Sequence, residues 1–209
     1  MERMPKPVFE PADIGAIVKE AVILFQMSNS DIKYEIDVPK EPLSLECDRR
    51  LLTQAVTNLV KNAGEAIATA RQSGQKGDAY RGRIIARVTM QGPRCVIEVI
   101  DNGCGLPAEN RNRLMEPYVT TRAKGTGLGL AIVHRIAEQH DGLLQLDDAH
   151  GEDGAVTGAT VRMTIPLTRS AEAREIAEIA DARETAGAAD QPSTTYRQIG
   201  RKQGVSYGV

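Results

Sequence analysis

The chain has 209 residues, 26 of them basic and 28 acidic, for a formal charge of -2, so no overall field draws it toward nucleic acid or an anionic membrane surface. No apolar run approaches the ~18 to 20 residues that cross a bilayer, and a soluble protein with one substantial domain plus extensions is expected. Two Phe, five Tyr and no Trp leave the core to aliphatic side chains and exclude a base-stacking platform for nucleic acid.

Cys47, Cys95 and Cys104 are odd in number and unpatterned, and no charged start followed by an apolar core opens the sequence, so a reducing cytoplasmic setting is expected. Met1 to Pro11 holds three prolines and reads as an extended lead-in over residues 1–10. From Ala12 to Met27, apolar Ile14, Ile17, Val18, Ala21, Val22 and Phe25 recur at helical spacing and predict a helix with one buried stripe. Ile32, Tyr34, Ile36 and Val38 alternate with polar residues as a half-buried strand does, and Pro39 and Pro42 separate that strand from a short one at Leu43 to Cys47. Asp48 stands where the next helix needs a cap. That helix runs from Arg49 to about Arg71, with Leu52, Ala55, Val56, Leu59, Ala63, Ala66 and Ile67 as its inner stripe.

A polar loop over Gln72 to Gly82 leads to two strands, about Arg83 to Met90 and Arg94 to Ile100, joined by Gln91-Gly92-Pro93 as an antiparallel hairpin. Asp101 to Pro107 reads as a glycine-bearing loop, Ala108 to Met115 as a short helix, and Glu116 to Gly127 as a mobile stretch. Leu128 to Gln139 is the third long helix, ending near Asp141-Gly142, where the glycine is expected to take a left-handed cap. Leu143 to Leu146 and Val161 to Ile165 are two more strands. The domain spans residues 11–168, and residues 169–209 carry a short Ala/Glu/Ile helix pattern and then a polar, flexible tail. Interleaved helices with clear hairpins predict an α+β class, a two-layer sandwich whose mixed, mostly antiparallel sheet is covered on one face by helices.

Three segments carry chemistry: Asn58-Leu-Val-Lys-Asn62-Ala, Asp101-Asn-Gly-Cys-Gly105-Leu-Pro, and Gly125-Thr126-Gly127-Leu128-Gly129-Leu. Asn58 and Asn62, four apart, project from one side of a helix, and a neutral amide oxygen suits Mg²⁺, which takes its other ligands from water and phosphate. Asp101 ends a strand in which Cys95, Ile97 and Val99 point the same way, so its carboxylate sits at the rim of the core. There it can accept a hydrogen bond from the exocyclic amine of adenine, where guanine would present a carbonyl. Gly125, Gly127 and Gly129 stand where a loop runs into a helix, so free N–H groups and the helix's positive end can face phosphate oxygens.

In this order the segments resemble the N, G1 and G2 boxes of the ATP-binding fold shared by histidine kinases, gyrase, Hsp90 and MutL, over roughly Phe9 to Leu167. The wording Pro117-Tyr118-Val119-Thr120-Thr121-Arg122-Ala123-Lys124 before the glycines resembles the family's F box and ATP lid, and together with Arg3-Met4-Pro-Lys-Pro is similar to the NtrY branch of nitrogen-responsive sensor kinases. The resemblance implies an ATP-binding catalytic domain with Asn62 as magnesium ligand, Gly103 and Gly105 letting the backbone pass close to the base, and Tyr118 anchoring the lid. Thr121, Arg122 and Lys124 would contact phosphates, with Lys124 and Asn58 placed at the catalytic centre and Thr126 and Leu128 in the phosphate loop. Gyrase-type relatives have a glutamate at the Asn58 position. An asparagine cannot act as a general base, which favours phosphotransfer over an ATP-driven switch.

His134, His140 and His150 do not lie in the family's His-Glu helical hairpin, so the resemblance implies transfer to a histidine on a dimerisation domain outside these residues, with a response regulator downstream and a monomeric isolated domain. A serine kinase acting on an anti-sigma partner is the other phosphotransfer reading. Two departures from the family pattern stand out. Glu65 occupies the turn after Asn62 where many relatives are basic, and Gly158-Ala159-Thr160 replaces a Gly-Thr whose hydroxyl serves the adenine.

Overall fold

A computed structural model describes residues 7–74, 76–77, 79–120, 125–151 and 154–167. Its elements in chain order are β1 (Glu10–Asp13), α1 (Ile14–Ser28), β2 (Ile32–Asp37), β3 (Ser44–Cys47), α2 (Arg49–Gln72), β4 (Gly82–Gln91), β5 (Arg94–Asp101), a 3-10 turn (Arg111–Met115), α3 (Gly129–Gln139), β6 (Leu143–His150) and β7 (Val156–Pro166). Five strands form one sheet in the order β2-β4-β5-β7-β6, while β1 and β3 make a separate antiparallel pair. Only the β2–β4 pairing in the larger sheet is parallel, the connection passing through β3 and α2. The three helices pack on the same side of this sheet, giving the expected two-layer α+β sandwich.

Register explains why one face is greasy and the other charged. Across the strands the inner rows read Ala86–Val99–Val161–Leu146 and Val88–Ile97–Met163–Leu144, and α2 lays the expected stripe from Leu52 to Ile67 against them. On the outer face, Arg87 pairs with Asp37 at 2.8 Å, Arg162 with Glu98 at 2.8 Å and with Asp147 at 3.1 Å, so charges of alternating sign run across all five strands. Arg83 and Lys33 hold Glu35 at one edge, and these two cations bring its carboxyl down to about 2. Burial pushes the Cys47 and Cys95 thiols up to about 11 and about 12, so both stay protonated and serve as small core residues.

Four expectations change. The lead-in is part of the packing: β1 pairs with β3 from Glu10↔Cys47 to Asp13↔Ser44, the Val8 N–H donates to Asp48 Oδ2 at 2.9 Å, and the Phe9 ring meets His140 edge-on at 5.1 Å. The helix expected over Ala108 to Met115 shrinks to the 3-10 turn, because Asn110 is left-handed at φ 57 and breaks the chain's path. Strands β6 and β7 outrun their apolar cores, since Asp147 and Asp148 find Arg162 and Arg111 as partners. At the end of α3 the left-handed residue is Asp141, at φ 56, and not Gly142. Gly142 is there because a Cβ would come within 2.2 Å of the Thr164 carbonyl oxygen. Residues 168–209, which include the flexible tail expected over 169–209, lie outside the described residues.

The start of α2 is a knot of polar groups. Asp48, 3% exposed, accepts from Leu51 N–H at 3.0 Å as the helix cap and from Val8 N–H. Its own N–H donates to His140 Nε2 at 3.1 Å, while His140 Nδ1 bonds the Ile136 carbonyl at 2.8 Å, which requires a neutral imidazole with the proton on Nδ1. Burial alone would raise the Asp48 pKa, but the backbone N–H groups of Val8 and Leu51, with Arg50 beside them, outweigh it and hold the carboxyl below its ordinary value. A depressed folded-state pKa stabilises the protein above the unfolded value and loses that contribution as pH falls through the folded one. Asp48→Ala is therefore expected to lower stability by about 1 to 2 kcal/mol at neutral pH, measured by urea unfolding. The gap to the unsubstituted chain should close as pH drops below 3.8.

Candidate nucleotide site

Between α2, the end of β5, the loop after it and the start of α3 lies a cleft of about 430 Å³. It brings together Asn58, Asn62, Asp101, Gly105, Gly125, Thr126, Gly127, Leu128 and Gly129, all expected from the sequence to share one site. The wall supplied by α2 follows helical spacing. Asn58, Asn62, Glu65 and Thr69 all line it, with Lys61 beside them. The half-buried Asn62 amide touches the start of α3, for a Cβ at Gly129 would lie 3.1 Å from its Oδ1.

Asp101 occupies the polar end of the inner sheet face. It is 6% exposed, stands between Ile84 and Ala159 in register, and accepts from the Gly103 N–H at 2.8 Å. Ala159 lines the cleft beside it whereas Thr160 points to the outer face, so the missing hydroxyl noted in the sequence is missing at this point of the wall. On the next strand, in the same row, Asp148 takes both oxygens to Arg111 at 2.8 Å, and Arg111 also donates to the Pro107 carbonyl at 2.8 Å. That ion pair fastens the loop bearing Leu106, Pro107 and Leu114, which forms the apolar side of the cleft.

Gly103 has a different role from the one expected. It does not line the cleft; a Cβ there would come within 2.6 Å of the Ala66 carbonyl carbon and 2.7 Å of the Ile67 nitrogen, so its smallness lets the turn press onto α2. The Cys104 N–H then donates to the Ala66 carbonyl at 3.2 Å. Gly105, at φ 75, does line the cleft.

The glycine-loop end of the cleft is pinched at its base. The Tyr118 N–H donates to the Gly127 carbonyl at 3.0 Å, and a Cβ on Gly127, itself at φ 66, would fall 2.6 Å from the Tyr118 carbonyl carbon. The packed anchor expected at Tyr118 is not what the structure has: the residue is 71% exposed and outside the cleft, and it meets the glycine loop through its backbone. Among the described residues no side chain caps the first turn of α3, and Leu128, Gly129 and Leu130 of that turn line the cleft. Thr121, Arg122 and Lys124 lie outside the described residues.

Several residues here escaped sequence reasoning. Thr69 and Lys61 follow from extending the helical face of Asn58 and Asn62. Leu106 and Leu114 carry no periodic signal, because a loop delivers them, and Val161 was legible as strand but not as part of the site.

The family model described as histidine kinase-, DNA gyrase B- and HSP90-like ATPase matches residues 47–169. The chain is 45% identical over 163 residues to the nitrogen regulation protein NtrY of Azorhizobium caulinodans, covering 78% of this chain and 20% of that protein. It is 28% identical over 162 residues to the signal transduction histidine-protein kinase AtoS of Escherichia coli, covering 76% and 24%. The chain thus spans about a fifth to a quarter of these relatives. Among solved structures, the mycobacterial sensor histidine kinase MprB aligns with a TM-score of 0.64 at 25% identity over 78% of this chain and 100% of that one. The catalytic domain of histidine kinase ThkA gives 0.64 at 26% identity over 77% and 97%.

The turn's contact with α2 makes a prediction independent of any ligand. Gly103→Ala should cost about 1 to 3 kcal/mol of stability in urea unfolding, as overpacking against backbone does. Gly92→Ala, where a Cβ meets nothing within 4 Å, carries only the strain of φ 54 and should cost less.

Proposed function

Because the chain belongs to the histidine kinase-, DNA gyrase B- and HSP90-like ATPase family, we propose that it binds Mg²⁺-ATP in this cleft and delivers the γ-phosphate to a histidine carried outside these residues. The observation that carries the reading is the placement of three chemistries around one space: a buried carboxylate at one end, helix amides and glycines at the other, and an amide-bearing helix between. The buried Asp101 accepts the purine's exocyclic amine, which selects adenine over guanine. Leu106, Pro107 and Val161 supply apolar contact to the base. Backbone N–H groups from Gly125 to Gly129 receive the phosphate oxygens.

The donor set fits magnesium, since Asn62 offers a neutral oxygen beside the unhindered start of α3 and no cluster of carboxylates among the described residues competes for the ion. When bound, that ion neutralises charge on the phosphates. Asn58 holds a water or phosphate oxygen by hydrogen bonding but cannot remove a proton, so hydrolysis is slow and the phosphoryl group is kept for an acceptor. Thr121, Arg122 and Lys124 supply further hydroxyl and cationic contacts from the lid. Glu65, on the cleft wall where relatives are often basic, places the demand for phosphate-binding charge on Lys61 and the lid. The acceptor is a histidine of the dimerisation domain of a sensor kinase similar to NtrY, with a response regulator downstream. The chain's own helical histidines are poorly placed to accept a phosphoryl group, since His140 is buried and bonded at both nitrogens, and His134 lies 4.0 Å from Glu138 on the outer side of α3.

Two measurements test this. Asp101→Asn should weaken Mg²⁺-ATP binding by about 1.5 to 3 kcal/mol, the worth of a charged acceptor in a buried site; unchanged affinity by calorimetry would remove the adenine assignment. Labelled ATP should pass its γ-phosphate to a separately made histidine hairpin from an NtrY-like kinase only when this chain is present. Steady phosphate release without the hairpin would instead favour an ATP-driven switch.

A further inference from the structure

We propose that Asn102 and Tyr80 are positioning residues that fix how Asp101 presents its carboxylate, and so set the preference for a 6-amino purine; the inference rests on the nucleotide reading above. Asp101 is the last residue of β5, and the chain must turn there from the sheet down onto α2. Asn102 replaces the ladder that ends at this point. Its side-chain Oδ1 accepts from the Arg83 N–H at 2.8 Å, and its Nδ2 donates to the Arg81 carbonyl at 2.8 Å. One amide side chain thus copies the donor and acceptor of a peptide and extends the β4–β5 pairing past Asp101. The Asn102 main chain is held as well, its N–H donating to the Arg83 carbonyl at 3.3 Å and its own carbonyl accepting from the Tyr80 hydroxyl at 3.0 Å.

Tyr80 comes from the loop between α2 and β4 and is half-buried. Burial pushes its phenol pKa up, which keeps the hydroxyl a donor. Neither residue lines the cleft, so any effect on the ligand must pass through the turn. On the far side the turn is closed by Gly158, where a Cβ would fall 2.0 Å from the Asp101 carbonyl oxygen. The Asp101 backbone is therefore clamped between β7 and the Asn102–Tyr80 bonds, and the carboxylate's direction is set by that clamp together with the Gly103 N–H.

The test compares Mg²⁺-ATP with purine riboside triphosphate, which lacks the 6-amino group, by calorimetry on the full chain. Asn102→Ala should weaken ATP about tenfold and Tyr80→Phe a few-fold, the loss of aligned hydrogen bonds to a charged acceptor. Binding of the 6-unsubstituted nucleotide should hardly change. In an Asp101→Asn background, Asn102→Ala should cause no further loss, because the two substitutions act on one interaction. Equal weakening of both nucleotides, additive losses in the double variant, or unchanged ATP affinity would each overturn the proposal. Should Asn102→Ala unfold, as thermal melting would show, Tyr80→Phe removes one hydroxyl and answers the same question. Failure of the unsubstituted chain to bind either nucleotide would overturn the nucleotide reading itself, a result separable from the others.

Discussion

The site depends on a backbone-to-backbone contact: the turn after β5 lies directly on α2 at Ala66 and Ile67, with Gly103 giving the clearance and Cys104 donating to the Ala66 carbonyl. Asn62 stands one turn of the same helix before Ala66. The separation between the Asp101 carboxylate and the Asn62 amide is thus fixed by helix geometry, with no side chain intervening. A side chain at position 103 would lengthen that distance or tilt the turn, and either change alters both ends of the cleft at once.

The two faces of the sheet divide the work. The inner rows supply apolar surface on which α1, α2 and α3 pack, and Asp101 and Asp148 stand in the adjoining row, Ile84–Asp101–Ala159–Asp148, where the apolar surface gives out. Asp148 is paired with Arg111, and Asp101 accepts from the Gly103 N–H and lines the cleft. The outer face carries charges of opposite sign facing each other across strands; an exposed pair such as Arg87–Asp37 adds little alone, and the row as a whole favours one strand register over slipped ones.

The sequence made the helices and most strands legible because their apolar residues keep a regular period and α2 begins at a capping aspartate. It hid what lacks a period. Glu10-Pro11-Ala12-Asp13 shows no alternation, so β1 is visible only once its partner Ser44–Cys47 is in place. Asp147-Asp148-Ala149-His150 looks like a loop, yet remains strand because arginines from elsewhere in the chain neutralise it. That Asn58, Asn62, Asp101 and the glycines from Gly125 to Gly129 would share one cleft was readable, because the chemistry of amide, carboxylate and glycine limits what each can do. The roles of Gly103 and Tyr118 were not, since both depend on which backbone lies opposite, and that is a tertiary fact. Asn102 and Tyr80 were silent for the same reason.

His140 has a mechanical consequence. Its imidazole bolts the first residue position ahead of α2 to the last turn of α3, joining positions 92 apart in the chain, while the opposite ends of the same stretch meet where Asn62 abuts Gly129. Sliding one helix along the other would pull the imidazole nitrogen from the Asp48 amide, so this bond opposes a change of register between the two rods at the end away from the cleft.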